Sequence, residues 1–154
     1  MEIKLQPIAY VKNSRTEIED DNWGNVISEI ELDDKIITEA FEGIDDFSHL
    51  EIIFYMNRVL DDKAKAQFRH PRNNTKLPKL GTYAQRNKNR PNKLGLTTVE
   101  LIERNGRRLK VKKLDAINGT PILDIKPVMK EYQAKGEIVQ PDWTKEIMKN
   151  YWKQ

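Results

Sequence analysis

The chain has 154 residues, 33% of them charged and 38% hydrophobic, and no cysteine. That length suits one domain, residues 1–154, with a core that needs no disulfide or metal. Thiolate nucleophiles and zinc-thiolate sites are excluded. No apolar run approaches the roughly 20 residues of a membrane span, so a soluble, cytoplasmic protein is expected.

The net charge of +3 conceals a division along the chain. Residues 1–62 hold 5 Lys/Arg against 16 Asp/Glu, whereas residues 63–113 hold 16 Lys/Arg against only Glu100 and Glu103. A basic block of this density attracts polyanions such as nucleic acid, unless the acidic block pairs with it inside the fold.

In chain order, residues 3–11 alternate as a half-buried first strand and residues 26–32 as a second. The stretch DDKIITEAFEGI places Ile36, Ile37, Ala40 and Phe41 at helical spacing before Gly43, which predicts a short helix. LEIIFYM, residues 50–56, is a nearly continuous apolar run and the expected central strand. Residues 57–81 show little periodicity and many cations, the pattern of a long functional loop. A short strand is expected at 82–84, and a hairpin from 96–102 and 109–114 across ERNGRR. The last strand is expected at 121–125. Asp142 then stands where it would cap a C-terminal helix whose one face carries Trp143, Ile147, Met148 and Tyr151, read as packing residues. Many short strands with few helices predict a mainly β fold, a small antiparallel β-barrel with a short helix and a C-terminal helix.

Several chemistries find no support. His49 and His70 lie apart and outside metal-ligand pairs. None of Ser14, Ser28 or Ser48 sits in a nucleophile elbow, and neither a Rossmann fingerprint nor a P-loop is present. Two polar segments stand out. In GTYAQRNKNRPNKLGLTTVEL, residues 81–101, Arg86, Arg90, Pro91, Asn92 and Gly95 crowd a loop running into a strand. Guanidinium forks there suit a carboxylate or phosphate, and Gly95 permits close backbone approach. In LDAINGTPILDIKP, residues 114–127, Asp115, Asn118, Gly119, Thr120 and Asp124 lie on a strand-turn-strand path whose polar groups suit an adenine edge or ribose hydroxyls.

These two segments resemble the TrmO, or TsaA-like, family of S-adenosylmethionine-dependent tRNA methyltransferases, with its approximate patterns GVFATRSxxRPNPIGLS and LDxxDGTPVLDIKPY. FEGIDDFSHLEIIFYMNR, residues 41–58, is similar to the family's GLExFSHLWVLYxFHR, and PIAYVKN, residues 7–13, to its opening PIGVVRS. The markers run in order from Pro7 to Pro127. The resemblance implies a small antiparallel barrel that binds its cofactor without a Rossmann domain, a homodimer, and methyl transfer to N6 of threonylcarbamoyladenosine beside the tRNA anticodon. It further implies that the smaller C-terminal domain of longer relatives is missing from these 154 residues.

Carried over residue by residue, the cofactor-binding positions implied are Asn57 and Arg58 after the apolar strand, Arg86, Leu96, and Asp115, Ala116, Ile117 and Asn118. Asn22, Trp23 and Gly24 occupy the place of an early cofactor-contacting loop. Lys88, Arg90, Asn92 and Lys93 are the expected RNA contacts; no residue is singled out as the general base. The chain departs from the pattern at Asn57 (family His), Lys93 (Pro), Asn118 (Asp) and Val128 (Tyr). Since Asn118 is no carboxylate base, a different methyl acceptor and a non-catalytic RNA-binding module stand as the alternative readings.

Overall fold

In the structure, a computed structural model describing residues 1–154, alternating segments become β1 (Ala9–Lys12), β2 (Ile27–Leu32), β3 (His49–Tyr55), β4 (Phe68–Arg69), β5 (Leu80–Gly81), β6 (Leu94–Asn105), β7 (Arg108–Lys112) and β8 (Pro121–Pro127), followed by one helix, α1 (Trp143–Met148). Six strands close into an antiparallel barrel in the order β1-β2-β7-β6-β3-β8, and β4 and β5 form a separate ribbon. Closure comes from β1 against β8, where Ala9 faces Ile122 and Tyr10 faces Pro121.

The side-chain period of two sends one set of residues inward. Ile30 and Leu32 of β2, Leu50, Ile52 and Phe54 of β3, and Leu109 and Val111 of β7 fill the interior with Val11, Val99 and Ile122. Each such side chain removed from water contributes roughly 1.5–3 kcal/mol. The apolar run at β3 is central, pairing with β6 over seven residues and with β8 on its other edge.

Several expected elements take another form. The first strand begins at Ala9, because β8 offers ladder partners only to Ala9 and Tyr10, and residues 1–6 are exposed. The expected helix is two 3-10 turns, Thr38–Phe41 and Ile44–Asp46. Only Phe41 of the first is buried, and Gly43 at φ 80° breaks the run before a costly α-helical nucleus is repaid. The 57–81 loop is partly ordered by the β4–β5 ribbon, held by side chains rather than periodicity: Gln67 N–H donates to Thr82 Oγ1 at 2.7 Å, and Gln85 Nε2 donates to the carbonyls of Arg69 and Leu80 at 3.0 and 2.9 Å. Residues 82–84 form a 3-10 turn, with the strand ending just before them. Asp142 does not cap α1; its own backbone is helical, and its carboxylate accepts from Lys145 Nζ at 2.8 Å.

The acidic and basic blocks pair extensively. Arg72 grips Asp21 with two nitrogens at 3.0 and 2.8 Å, Arg104 joins Glu42 at 2.5 Å and Asp45 at 3.5 Å, and Arg108 meets Glu31 at 3.1 Å. The hydrogen bond from Arg104 holds the Glu42 carboxyl below the usual range. Such exposed pairs contribute little stability each, but they set which loops lie together. Arg72 anchors the 57–81 loop over residues 20–21.

Candidate active site

The end of β3, the start of β6, the 82–92 loop, residues 115–117 and the C-terminal segment converge on a cleft of about 960 Å³. Its inner wall depends on Gly95. Phe54 packs its ring directly on the Gly95 backbone, and a Cβ there would overlap ring carbons. The close approach expected at this glycine is therefore made by Phe54 rather than by a ligand.

Asp115 stands at the floor with each carboxylate oxygen accepting one hydrogen bond, from Thr97 Oγ1 and from the Tyr151 hydroxyl. Burial pushes the Tyr151 phenol well above its ordinary range, and the negative charge of Asp115 adds to this. Tyr151 therefore stays a neutral donor at any physiological pH. Arg86 is fixed beside this group by donating from Nη2 to the Leu96 carbonyl at 2.5 Å. Arg58 donates to the Thr16 carbonyl at 2.7 Å, tying the end of β3 to the early acidic loop.

The C-terminal segment forms one wall. Backbone N–H groups of Asn22, Trp23 and Gly24 donate to the carbonyls of Asn150, Tyr151 and Lys153 at 3.1, 2.8 and 3.2 Å. A Cβ on Gly24 would overlap the Trp152 carbonyl oxygen, so this contact needs glycine. Trp23 is buried, with the Arg15 guanidinium 4.1 Å from its ring centroid.

Of the expected cofactor residues, Trp23, Asn57, Arg58, Arg86, Leu96, Asp115, Ala116 and Ile117 line this one cleft. Asn22, Gly24 and Asn118 do not: the first two serve the C-terminal wall, and Asn118 Oδ1 accepts from the Asn13 N–H at 3.2 Å. Among the expected RNA contacts Lys88, Arg90 and Asn92 line the cleft, and Lys93 is buried instead, its ammonium 2.5 Å from Asp61. That hydrogen bond holds the Lys93 ammonium above its ordinary pKa. Lys93→Ala is therefore expected to lower the melting temperature while leaving affinity for RNA, the expected partner of this loop, within about twofold, whereas Lys88→Ala is expected to weaken it by one phosphate contact. A filter-binding salt titration with both variants reads the difference; an equal loss in both would restore Lys93 as an RNA contact.

Sequence reasoning missed Thr97 and Tyr151. Of the stripe expected to pack, Trp143, Ile147 and Tyr151 are half-buried, Met148 is exposed and Tyr151 lies beyond the end of α1; nothing local marks Tyr151 as a partner of Asp115. His49 is exposed with its Nδ1 2.8 Å from Ser48 Oγ, His70 Nδ1 bonds the Leu77 carbonyl at 2.7 Å, and neither lines the cleft. Asp124, one of the polar groups of the 114–127 path, pairs with Lys126 at 2.6 Å.

Residues 9–134 match the family model of the tRNA-methyltransferase O N-terminal domain. The chain belongs to this family. An S-adenosyl-L-methionine-binding protein of Archaeoglobus fulgidus is 30% identical over 138 residues, covering 87% of this chain and 95% of that protein. The tRNA (adenine(37)-N6)-methyltransferase of Homo sapiens is 35% identical over 99 residues, 64% of this chain and 22% of that one. A crystal structure of TrmO from Pseudomonas aeruginosa superposes with a TM-score of 0.71 at 26% identity, covering 89% of this chain and 61% of that one. Against three of the curated relatives it matches, the human enzyme among them, the chain spans 54%, 22% and 25% of their length.

Within the TrmO family pattern, the departures acquire physical meaning. The acceptor oxygen that Asn118 presents to Asn13 is one that Asp and Asn share, so the exchange preserves the bond. Lys93 takes φ 51° and donates its N–H to the Arg90 carbonyl at 3.0 Å. Proline can do neither, so this chain turns differently there.

Proposed function

We propose that this chain transfers a methyl group from S-adenosyl-L-methionine to N6 of threonylcarbamoyladenosine beside the tRNA anticodon. The observation that carries the reading is Asp115, a doubly hydrogen-bonded carboxylate on the floor of a cation-lined cleft in a barrel of this family. The donor set fits the cofactor. A carboxylate acceptor (Asp115), a guanidinium (Arg86) and an apolar lining (Phe54, Met56, Leu96 and Ile117) lie in one cleft, matching an ammonium or hydroxyl, a carboxylate and an adenine respectively.

When bound, the cofactor supplies a methyl group activated by its sulfonium charge. The chain's part is alignment and exclusion of water. Thr97 and Tyr151 lock both oxygens of Asp115 in one orientation and leave each a lone pair for a ligand donor. Arg86, already held on Leu96, presents its remaining N–H groups without further ordering cost. Arg69, Lys88 and Arg90 line the same cleft and suit phosphates of the acceptor RNA, which supply affinity rather than sequence choice.

A cytoplasmic location follows from that substrate, and no helix is long and apolar enough to cross a membrane. A homodimer is the assembly that the family resemblance implies; light scattering on the purified protein reads its mass. Calorimetry with S-adenosylmethionine and a methylation assay on tRNA carrying threonylcarbamoyladenosine test the activity, and absence of cofactor binding overturns it. Arg86→Ala is expected to weaken cofactor binding by roughly tenfold, the loss of one charge-assisted contact; unchanged affinity removes Arg86 from the pocket.

A further inference from the structure

The β4–β5 ribbon and the 3-10 turn that follows it carry two aromatic rings that the barrel does not use. Phe68 lies opposite Gly81, and Tyr83 follows two residues later; they are 65% and 75% exposed. A cation sits by each ring, Lys79 Nζ 5.0 Å from the Phe68 centroid and the Arg90 guanidinium 5.8 Å from that of Tyr83. Arg90 is fixed by donating to the Thr82 and Gln85 carbonyls at 3.3 and 2.8 Å, and Gln85 in turn braces the ribbon. The rings thus project from an ordered support, and Tyr83 lies on the wall of the cleft.

The surrounding charge narrows the occupant. Residues 63–95 contain ten Lys/Arg and no carboxylate. Lys63, Arg72 and Lys93 have carboxylate partners. Lys65, Arg69, Lys76, Lys79, Arg86, Lys88 and Arg90 keep their charge uncompensated. A second copy docked symmetrically here would set these cations against themselves. A nucleic-acid strand instead brings phosphates to the cations and a π-face to each ring.

We propose that the ribbon is a stacking platform for unpaired bases of an RNA loop, with Tyr83, on the cleft wall, holding a base next to the one delivered into the cleft and Phe68 holding another. The proposal rests on RNA being the methyl acceptor. A continuous duplex has no free base face, so the platform distinguishes loop from stem.

The test is fluorescence anisotropy with a labelled RNA stem-loop and a continuous duplex of the same stem, using the wild-type protein, Tyr83→Ala, Phe68→Ala and Lys79→Ala, with circular dichroism to verify folding. Each aromatic variant is expected to lose roughly tenfold in affinity for the stem-loop, with the duplex affinity and the salt slope unchanged. Lys79→Ala is expected to flatten the slope on both RNAs. Less than twofold loss on the stem-loop, an equal loss on both RNAs, or a change of oligomeric state with RNA affinity intact overturns the platform. If the aromatic variants lose loop binding while the wild type transfers no methyl group to tRNA, the platform stands and the methyltransferase reading falls. If the protein transfers methyl groups and its RNA binding ignores both rings, the methyltransferase reading stands and the platform falls.

Discussion

Gly24→Ala is expected to detach the C-terminal segment and with it one wall of the proposed cofactor cleft. The added methyl has backbone, not a flexible side chain, in its way, so either residues 22–24 or residues 150–153 must move. Overpacking of this kind costs roughly 1–3 kcal/mol, and in a domain of this size each kcal/mol lowers the melting temperature by about 2–4 °C. Moving residues 150–153 withdraws the Tyr151 hydroxyl from Asp115. S-adenosylmethionine affinity should therefore fall by about tenfold or more, the worth of a lost contact to a charged group. Limited trypsin digestion followed by mass spectrometry should show faster cleavage after Lys149. Wild-type proteolysis with wild-type cofactor affinity would show that the segment plays no part in the site.

Asp115→Asn and Asp115→Ala are expected to separate charge from packing. The amide keeps the shape and one acceptor, and the hydroxyls of Thr97 and Tyr151 can reorient toward it, so the protein should melt close to wild type. Removal of the charge should still raise the cofactor dissociation constant by roughly 10- to 100-fold, the range of hydrogen bonds to ionised groups. Asp115→Ala should bind no better and should melt lower, because the buried Thr97 hydroxyl loses its acceptor. Calorimetry beside thermal melting reads both quantities. Equal cofactor affinity in wild type and Asp115→Asn would mean that Asp115 braces the cleft without meeting a ligand.

The parts of the molecule legible in the sequence are those whose cause is local. Alternation in β2 and β7 and the continuous apolar run of β3 come from burial on one or both faces, which leaves its period in the chain. Arg86, Leu96 and Asp115 stand at motif positions, and they do line one cleft. The contacts that give those residues their setting are not local. Tyr151 reaches Asp115 across 36 positions, and no periodicity encodes that distance. Lys93 reads as one more cation in a basic loop, because composition does not reveal that Asp61, 32 residues earlier, holds its ammonium. Ile36, Ile37, Ala40 and Phe41 have the spacing of a helix, but only Phe41 finds a buried seat, so the stretch settles for a 3-10 turn.

The wall made by residues 150–153 lies outside residues 9–134, which match the family model, and the barrel is complete at Pro127. Barrel closure and site closure are then separate events, the second resting on three backbone hydrogen bonds and the Tyr151 contact. Opening of that segment should occur at lower free energy than unfolding of the core. By mass action, any ligand that needs the closed wall suppresses its opening. Hydrogen exchange at Trp23 and Gly24, whose amides are sealed by the tail, thus becomes a direct gauge of occupancy in a protein whose core amides remain silent.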